Sequence, residues 1–224
     1  MNAKRTARKL KVIATCAALT LCGFGAQAAP VYNVAEAVLP GGLATLQAER
    51  AAWATAHGGG LSTEGFEGLA AAPAGPVDFG DFTLTSSVGL TLFGANALTR
   101  TEGVQGLGFS GNGTVTFTFD SAITAFGIDW SSFDQVSTVV AYSDDAGGAV
   151  ADIFVPVTSA GGGFFGVRNT DGFTSVSFQV TQVEILEFDY IQWGTVAAVP
   201  EPMSLLLVVA GLAAVGFSRS RRSS

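Results

Sequence analysis

The sequence predicts a mainly β protein, a single jelly-roll-like β-sandwich with one short N-terminal helix, flanked by a signal peptide and a C-terminal hydrophobic helix. Apolar residues alternate with threonine along residues 114–119, and the same period of two recurs near residues 126–130, 176–180 and 186–190. Such alternation of β-branched and aromatic residues indicates strands with one buried face. Glycine-rich turn clusters separate these segments at intervals of roughly 8–12 residues, as in sandwiches. The side chains expected in the core include Val115, Phe117, Phe119, Ile128 and Phe178.

Composition narrows the class of protein further. The chain has 224 residues, of which 48% are apolar and 13% charged, so a disordered chain is excluded. Seventeen of its 18 acidic residues but only three of its 11 basic residues lie between residues 12 and 200. An acidic body of this kind is a poor partner for nucleic acid. Both cysteines, Cys16 and Cys22, lie in the first 25 residues, so the body has no thiol chemistry.

The N-terminus has the three parts of a signal peptide. Residues 1–11 are basic and residues 12–25 are apolar. Small residues follow at the positions that signal peptidase recognises, and they are Ala26, Ala28 and Ala29. The pattern predicts a signal peptide over residues 1–28 that signal peptidase removes. The alternative is an uncleaved anchor, for which 14 apolar residues are short.

The C-terminus is also tripartite. It begins with the triplet Pro200, Glu201 and Pro202 and continues with an apolar segment over residues 203–217. Proline suits the first position of a helix, and glutamate suits the helix N-terminus. Three arginines then favour a cytoplasmic end that stops transfer, namely Arg219, Arg221 and Arg222. An ordinary single-pass anchor is the alternative.

Residues 199–224 resemble the PEP-CTERM sorting signal of Gram-negative bacteria that produce exopolysaccharide, a segment also labelled an ice-binding protein C-terminal domain. The resemblance implies an exosortase, a membrane protease, that cuts at the motif. It further implies a transient anchor in the inner membrane, followed by a location at the cell surface or in the extracellular matrix.

The body divides into a helical lead-in and the sandwich. Residues 41–57 carry apolar residues at three- and four-residue spacing between two glycine clusters, which predicts one helix. We therefore assign residues 29–60 to the lead-in and residues 61–196 to the β-sandwich.

Residues Leu61 to Gly194 also resemble domains found upstream of PEP-CTERM tails. The resemblance rests on the segments 66–69, 117–130, 165–178 and 188–194, which are mostly core and turn residues. Relatives often close with a pair of aspartates; here Asp189 keeps the first and Tyr190 replaces the second. These domains are similar to carbohydrate-binding sandwiches, so the resemblance implies a fold more than a ligand.

No catalytic set stands out, and we predict a non-enzymatic protein. A single histidine, His57, cannot build a histidine-rich metal site, and it lacks the context of a serine triad. A glycosidase would need two carboxylates facing a cleft about 5–10 Å apart. The acids abundant enough to be considered for that role are Asp129, Asp134, Glu184 and Glu187.

Calcium is the metal that this composition favours, because it accepts carboxylates and carbonyls from loops. The speculative ligands are Asp144, Asp145 and Asp171, which lie in turns, and Asp189, which is added by the resemblance to sugar-binding sandwiches. The alternative is turn chemistry, since aspartate beside glycine stabilises tight turns. No cofactor is certain.

The expected function is that of an exported cell-envelope or matrix protein whose β domain binds glycan or packs within exopolysaccharide. Trp130, Tyr142 and Trp193 are the candidate platforms for a sugar ring, with core packing as the alternative for each. A purely structural matrix component and a secreted glycosidase are the alternative functions. The expected partners are signal peptidase, an exosortase-like protease and extracellular polysaccharide.

Overall fold

The computed structural model describes residues 30–38, 41–57, 59–94, 101–132, 140–150, 161–181 and 185–195. The predicted signal peptide and its cleavage site, the sorting motif and the stop-transfer arginines lie outside these residues, as do Asp134 and Glu184. No helix among the described residues has the length and apolar character needed to cross a membrane.

The described residues form one helix and eleven strands. The helix, α1, spans Leu43–Ala56. The strands are β1 Val31–Val38, β2 Ser62–Glu64, β3 Val77–Asp78, β4 Phe82–Ser86, β5 Thr91–Phe93, β6 Gly106–Ser110, β7 Gly113–Ser132, β8 Val140–Asp144, β9 Ala149–Val150, β10 Gly161–Val180 and β11 Ile185–Gly194. The predicted mainly β architecture and the short N-terminal helix are confirmed. The jelly-roll-like sandwich stays a prediction, and the C-terminal hydrophobic helix lies outside the described residues.

All described strands belong to one hydrogen-bonded sheet, in which the main path runs β5-β6-β11-β7-β10-β8-β9. Two strands of 20 residues, β7 and β10, pair antiparallel along most of their length. The other edge of β7 is divided, because β4 pairs with its first half and β11 with its second half. The outer edge of β10 is divided in the same way between β1 and β8.

The sheet bends so that its two halves face each other across an aromatic core. Phe188 on β11 pairs with Trp130 in the second half of β7. Its ring nevertheless lies 5.9 Å from that of Phe117, in the first half of β7, and 5.6 Å from that of Phe178 on β10. All five side chains predicted for the core are buried: Val115, Phe117, Phe119, Ile128 and Phe178.

The first strand, β1, was not predicted from the sequence. Residues 31–38 fall within the predicted helical lead-in, yet β1 pairs with β10 from Val31 opposite Arg168 to Val38 opposite Gly161. Tyr32 packs against the main core, whereas Val31 and Val34 are exposed. The apolar residues of β1 therefore fall on both faces, so no period-two alternation marks the strand.

Helix α1 lies on the opposite face of the sheet from the aromatic core, over a groove made by two glycines. Gly127 and Gly166 are paired across β7 and β10. A Cβ atom on Gly166 would lie 2.4 Å from Nε1 of Trp53, and one on Gly127 would lie 2.9 Å from Cζ3 of the same indole. The absence of side chains at both positions lets Trp53 of α1 pack directly on the sheet.

Phe117→Ala should lower the free energy of unfolding by about 3–5 kcal/mol, because it removes a fully buried ring from the centre of the core. Urea denaturation followed by circular dichroism measures this change. An unchanged denaturation midpoint would contradict the strand facing described above.

Gly166→Ala should destabilise the protein by about 1–3 kcal/mol through overpacking beneath Trp53. Gly68→Ala is the matched control, since a Cβ atom there would meet nothing within 4 Å. Equal denaturation midpoints for the two variants would show that Trp53 does not press on the glycine groove.

Candidate functional site

Three acidic side chains predicted as candidate site residues are buried on the helix-facing side of the sheet. They are Asp129 on β7 and both Glu187 and Asp189 on β11, each with no exposed surface. The bulge in the pairing of β11 with β7 falls between Phe188 and Tyr190, at Asp189. This irregularity brings Asp189 and Asp129 close enough for their charges to interact.

Arg50 of α1 connects this acidic face to the helix. Its Nη1 donates to Oδ2 of Asp129 at 2.6 Å, and its Nη2 donates to Oε2 of Glu102 at 2.7 Å. Its guanidinium carbon lies 4.1 Å from the centroid of the Tyr190 ring, within the range of a cation–π contact. Arg50 thus joins the helix, the loop before β6 and two central strands.

Asp189 fixes the same loop from the sheet side. Its Oδ2 accepts hydrogen bonds from the backbone N–H groups of Thr101 and Glu102, the latter at 2.6 Å. It also accepts one from the Thr101 hydroxyl at 3.0 Å. The loop in turn binds the helix, because Gln47 Nε2 donates to the Thr101 carbonyl at 3.0 Å. We call Arg50, Thr101, Glu102, Asp129 and Asp189 the Arg50 cluster.

The Arg50 cluster joins elements together and does not present an open acid pair. The carboxyl groups of Asp129 and Asp189 lie close enough for their charges to interact, but both are buried and Asp129 is paired with Arg50. Glu187 is buried beside Ser131, whose hydroxyl lies 3.5 Å from Oε2. A buried charge destabilises a protein strongly when its partner is removed.

Burial, assisted by the neighbouring charge of Asp189 and opposed by Arg50 and Thr101, raises the pKa of Asp129 to about 7. The folded protein therefore holds a proton that the unfolded chain, with a pKa of 3.8, has already released. The tighter binding of this proton by the folded protein stabilises it fully below about pH 4. The stabilisation is lost as the pH rises towards 7.

Asp129→Asn should remove this dependence on pH. The free energy of unfolding of D129N relative to wild type should rise with pH between about 4 and 7, by up to about 1.4 kcal/mol per pH unit. Urea denaturation at several pH values measures it, with Asp171→Asn as an exposed control. A parallel pH profile for D129N and wild type would contradict the raised pKa.

Asp144 forms hydrogen bonds within the turn between β8 and β9. Asp144 accepts from the N–H groups of Ala146 at 3.0 Å and Gly148 at 2.7 Å and from the Tyr142 hydroxyl at 2.8 Å. Burial, followed by the charge of Asp144, raises the pKa of Tyr142.

Asp145 binds the neighbouring strand instead. It accepts from the Thr174 N–H at 2.8 Å, the Thr174 hydroxyl at 2.6 Å and the Ser175 N–H at 3.1 Å. Burial alone would raise the pKa of Asp145, but these hydrogen bonds hold it below its ordinary value.

The four candidate calcium ligands do not form one cluster. Asp144 and Asp145 bind the β8–β9 turn and β10, Asp171 is exposed on β10, and Asp189 belongs to the Arg50 cluster. Within the described ranges, no three acidic, histidine or cysteine side chains are arranged to hold a metal ion. Turn hydrogen bonds account for the position of Asp144, whereas hydrogen bonds to β10 account for that of Asp145.

His57 directly follows the last residue of α1. Its Nδ1 lies 2.5 Å from the carbonyl oxygen of Trp53, and the two rings lie 4.5 Å apart. These contacts hold His57 at the end of the helix, one turn beyond the Trp53 indole that packs on the sheet.

The three aromatic residues considered as sugar platforms have different environments. Trp130 and Tyr142 are almost fully buried in the core and offer no ring face to solvent. Trp193 is 7% exposed and lines a cavity at the surface.

That cavity, which we call the strand-end pocket, has a volume of about 270 Å³. It lies between β2, the residue before β4, the end of β11 and the middle of β7. Phe119, Ile123 and Trp193 contribute apolar surface to it. Asp81 and Asp120 are exposed at its rim. The sequence pattern does not predict this pocket, because its residues come from four separate segments.

Comparisons with known proteins identify no family: no family model matches the chain, and no curated protein matches it either. Among solved structures, the chain is similar to the enzymatically active domain of tailspike protein 4 of bacteriophage CBA120, at 16% identity and a TM-score of 0.34. The match covers 52% of this chain and 20% of the tailspike chain. A TM-score of 0.34 is too low to indicate a shared fold or activity.

Proposed function

We propose that this chain is an exported, non-enzymatic protein of the cell surface or extracellular matrix, whose β domain associates with exopolysaccharide. In this proposal the signal peptide directs export and the PEP-CTERM tail holds the protein in the inner membrane until an exosortase-like protease acts. The bent sheet then serves as a compact, jelly-roll-like sandwich in the matrix.

The observation that supports a non-enzymatic protein is the burial of the two acidic residues Asp129 and Asp189. A glycosidase needs an acid and a second carboxylate that both reach the scissile bond. Asp129 and Asp189 are both buried, and each is bound to groups of the protein itself, Asp129 to Arg50 and Asp189 to the N–H of Glu102. Their positions support a role in fixing the helix and loop to the sheet.

The charge and apolar content of the described surface suit a soluble exported protein and disfavour a polyanionic partner. The body carries a large excess of acidic over basic residues, which keeps a secreted protein soluble by charge repulsion. The large hydrophobic side chains exposed among the described residues are the scattered valines Val31, Val34, Val88 and Val104. Single exposed apolar residues of this kind need no membrane or protein partner.

Processing should remove both ends of the chain. Intact-mass analysis of the protein from an exosortase-bearing host should give a species that lacks residues 1–28 and the Arg219–Arg222 end. Glu201→Ala should leave the basic end attached, because it removes the charged centre of the motif. A dominant wild-type species that keeps either end would contradict the proposed sorting.

Association with the matrix is tested in the same host. The processed protein should sediment with exopolysaccharide and should remain in the soluble fraction of a strain unable to make the polymer. Incubation with the purified polymer should release no reducing ends above the level of a heat-denatured control. Equal solubility in both strains would overturn the association, and enzymatic release of reducing ends would favour the glycosidase.

A further inference from the structure

The strand-end pocket exists because two strands share one edge of β7. On this edge β4 pairs with β7 up to Phe119, opposite Phe82, and β11 pairs from Ala125, opposite Gly194. Residues 120–124 therefore lie between the end of one partner strand and the start of the other. The other edge of β7 is held by β10 on both sides of this interval.

The floor of the pocket is rigid. The Trp193 ring packs edge-on against Phe82, with centroids 5.1 Å apart, and lies 6.1 Å from the ring of Phe119. Phe119 and Ile123 are nearly fully buried, so they present only small apolar patches to the pocket. A ligand would meet preformed apolar surface and would not have to order it.

The rim supplies hydrogen-bonding groups around this floor. Asp81 and Asp120 are joined by a backbone hydrogen bond of 3.0 Å from the Asp120 N–H to the Asp81 carbonyl, which sets the two residues side by side. Their side chains are exposed at the opening. Hydroxyl groups of three further lining residues complete the rim: Ser62, Ser121 and Thr195.

We propose that the strand-end pocket binds a single neutral sugar ring. A pyranose offers apolar C–H groups to an apolar floor and hydroxyl donors to carboxylate acceptors, while serine and threonine hydroxyls act as donor or acceptor. The volume of 270 Å³ lies near the lower bound of about 300 Å³ for small-molecule pockets, which suits one ring better than an oligosaccharide.

The charge of the rim selects among sugars. Two carboxylates at the opening repel a uronate or a sulfated ring, so the ligand class is a neutral hexose and not an acidic sugar. The inference rests on the proposed function for the source of the ring, which would be a residue of the surrounding exopolysaccharide. Binding of the free monosaccharide can be measured without that source.

The test is isothermal titration of the purified full chain with D-glucose, D-galactose, D-mannose, D-glucuronate and calcium chloride. At least one neutral hexose should bind, and glucuronate should bind about tenfold more weakly. Asp120→Asn and Asp81→Asn should each weaken hexose binding by about tenfold, which corresponds to about 1.4 kcal/mol. Both side chains are exposed, so the substitutions leave the core intact.

Asp171→Asn is the matched control, because it makes the same chemical change at an exposed site outside the pocket. It should bind the hexose as wild type does. The inference is wrong if none of the three hexoses binds, if D120N and D81N bind as tightly as D171N, or if the two rim variants lose calcium binding alone. Sedimentation with exopolysaccharide in the absence of hexose binding would overturn the pocket and leave the proposed function standing.

Discussion

The antiparallel pairing of β7 with β10 is the constraint on which the other described elements depend. Each strand has 20 residues, more than twice a common strand length of roughly 5–6. Each free edge is therefore long enough to hold two different partners, β4 and β11 on one side and β1 and β8 on the other. The pairing of these strands has an irregular register between Arg168 and Ser175 of β10, which separates its two regular halves. One long antiparallel pair of strands thus determines both the core and the gap that forms the strand-end pocket.

The helix face obeys a different constraint, because it buries charge as well as apolar surface. Trp53 fills the groove over Gly127 and Gly166, and one helical turn earlier Arg50 meets Asp129. Removing one partner of such a pair leaves an uncompensated buried charge, which is more costly than never having had the pair. The Arg50 cluster therefore specifies where α1 and the loop before β6 must lie. Its raised pKa at Asp129 also makes that attachment sensitive to pH.

The sequence predicted the parts of the fold that local pattern controls. Residues 114–119 alternate strictly because one face of the first half of β7 is in the core, and α1 was recognisable from its spacing and flanking glycines. Strand β1 was missed because its apolar residues, Val31 and Val34 among them, fall on both faces of the strand and show no period-two alternation. The Arg50 cluster was missed as a unit, although its members Asp129 and Asp189 were each singled out, because spacing along the chain does not show that Arg50 and Asp129 meet. The glycines opposite Trp53 were a usable signal, since glycine inside a strand often marks the close approach of another group.

The two acidic regions illustrate how burial separates structural from binding roles for the same residue type. Asp129 lies beneath a helix, where the cost of desolvation raises the pKa of its carboxyl group to about 7 and Arg50 is its partner. Asp81 and Asp120 lie at an opening, where water can satisfy their carboxylates until a ligand replaces it. Exposed carboxylates beside a rigid apolar floor can exchange partners at little cost, whereas buried ones cannot. For this reason we assign the proposed sugar site to the strand-end pocket and not to the buried Asp129 and Asp189.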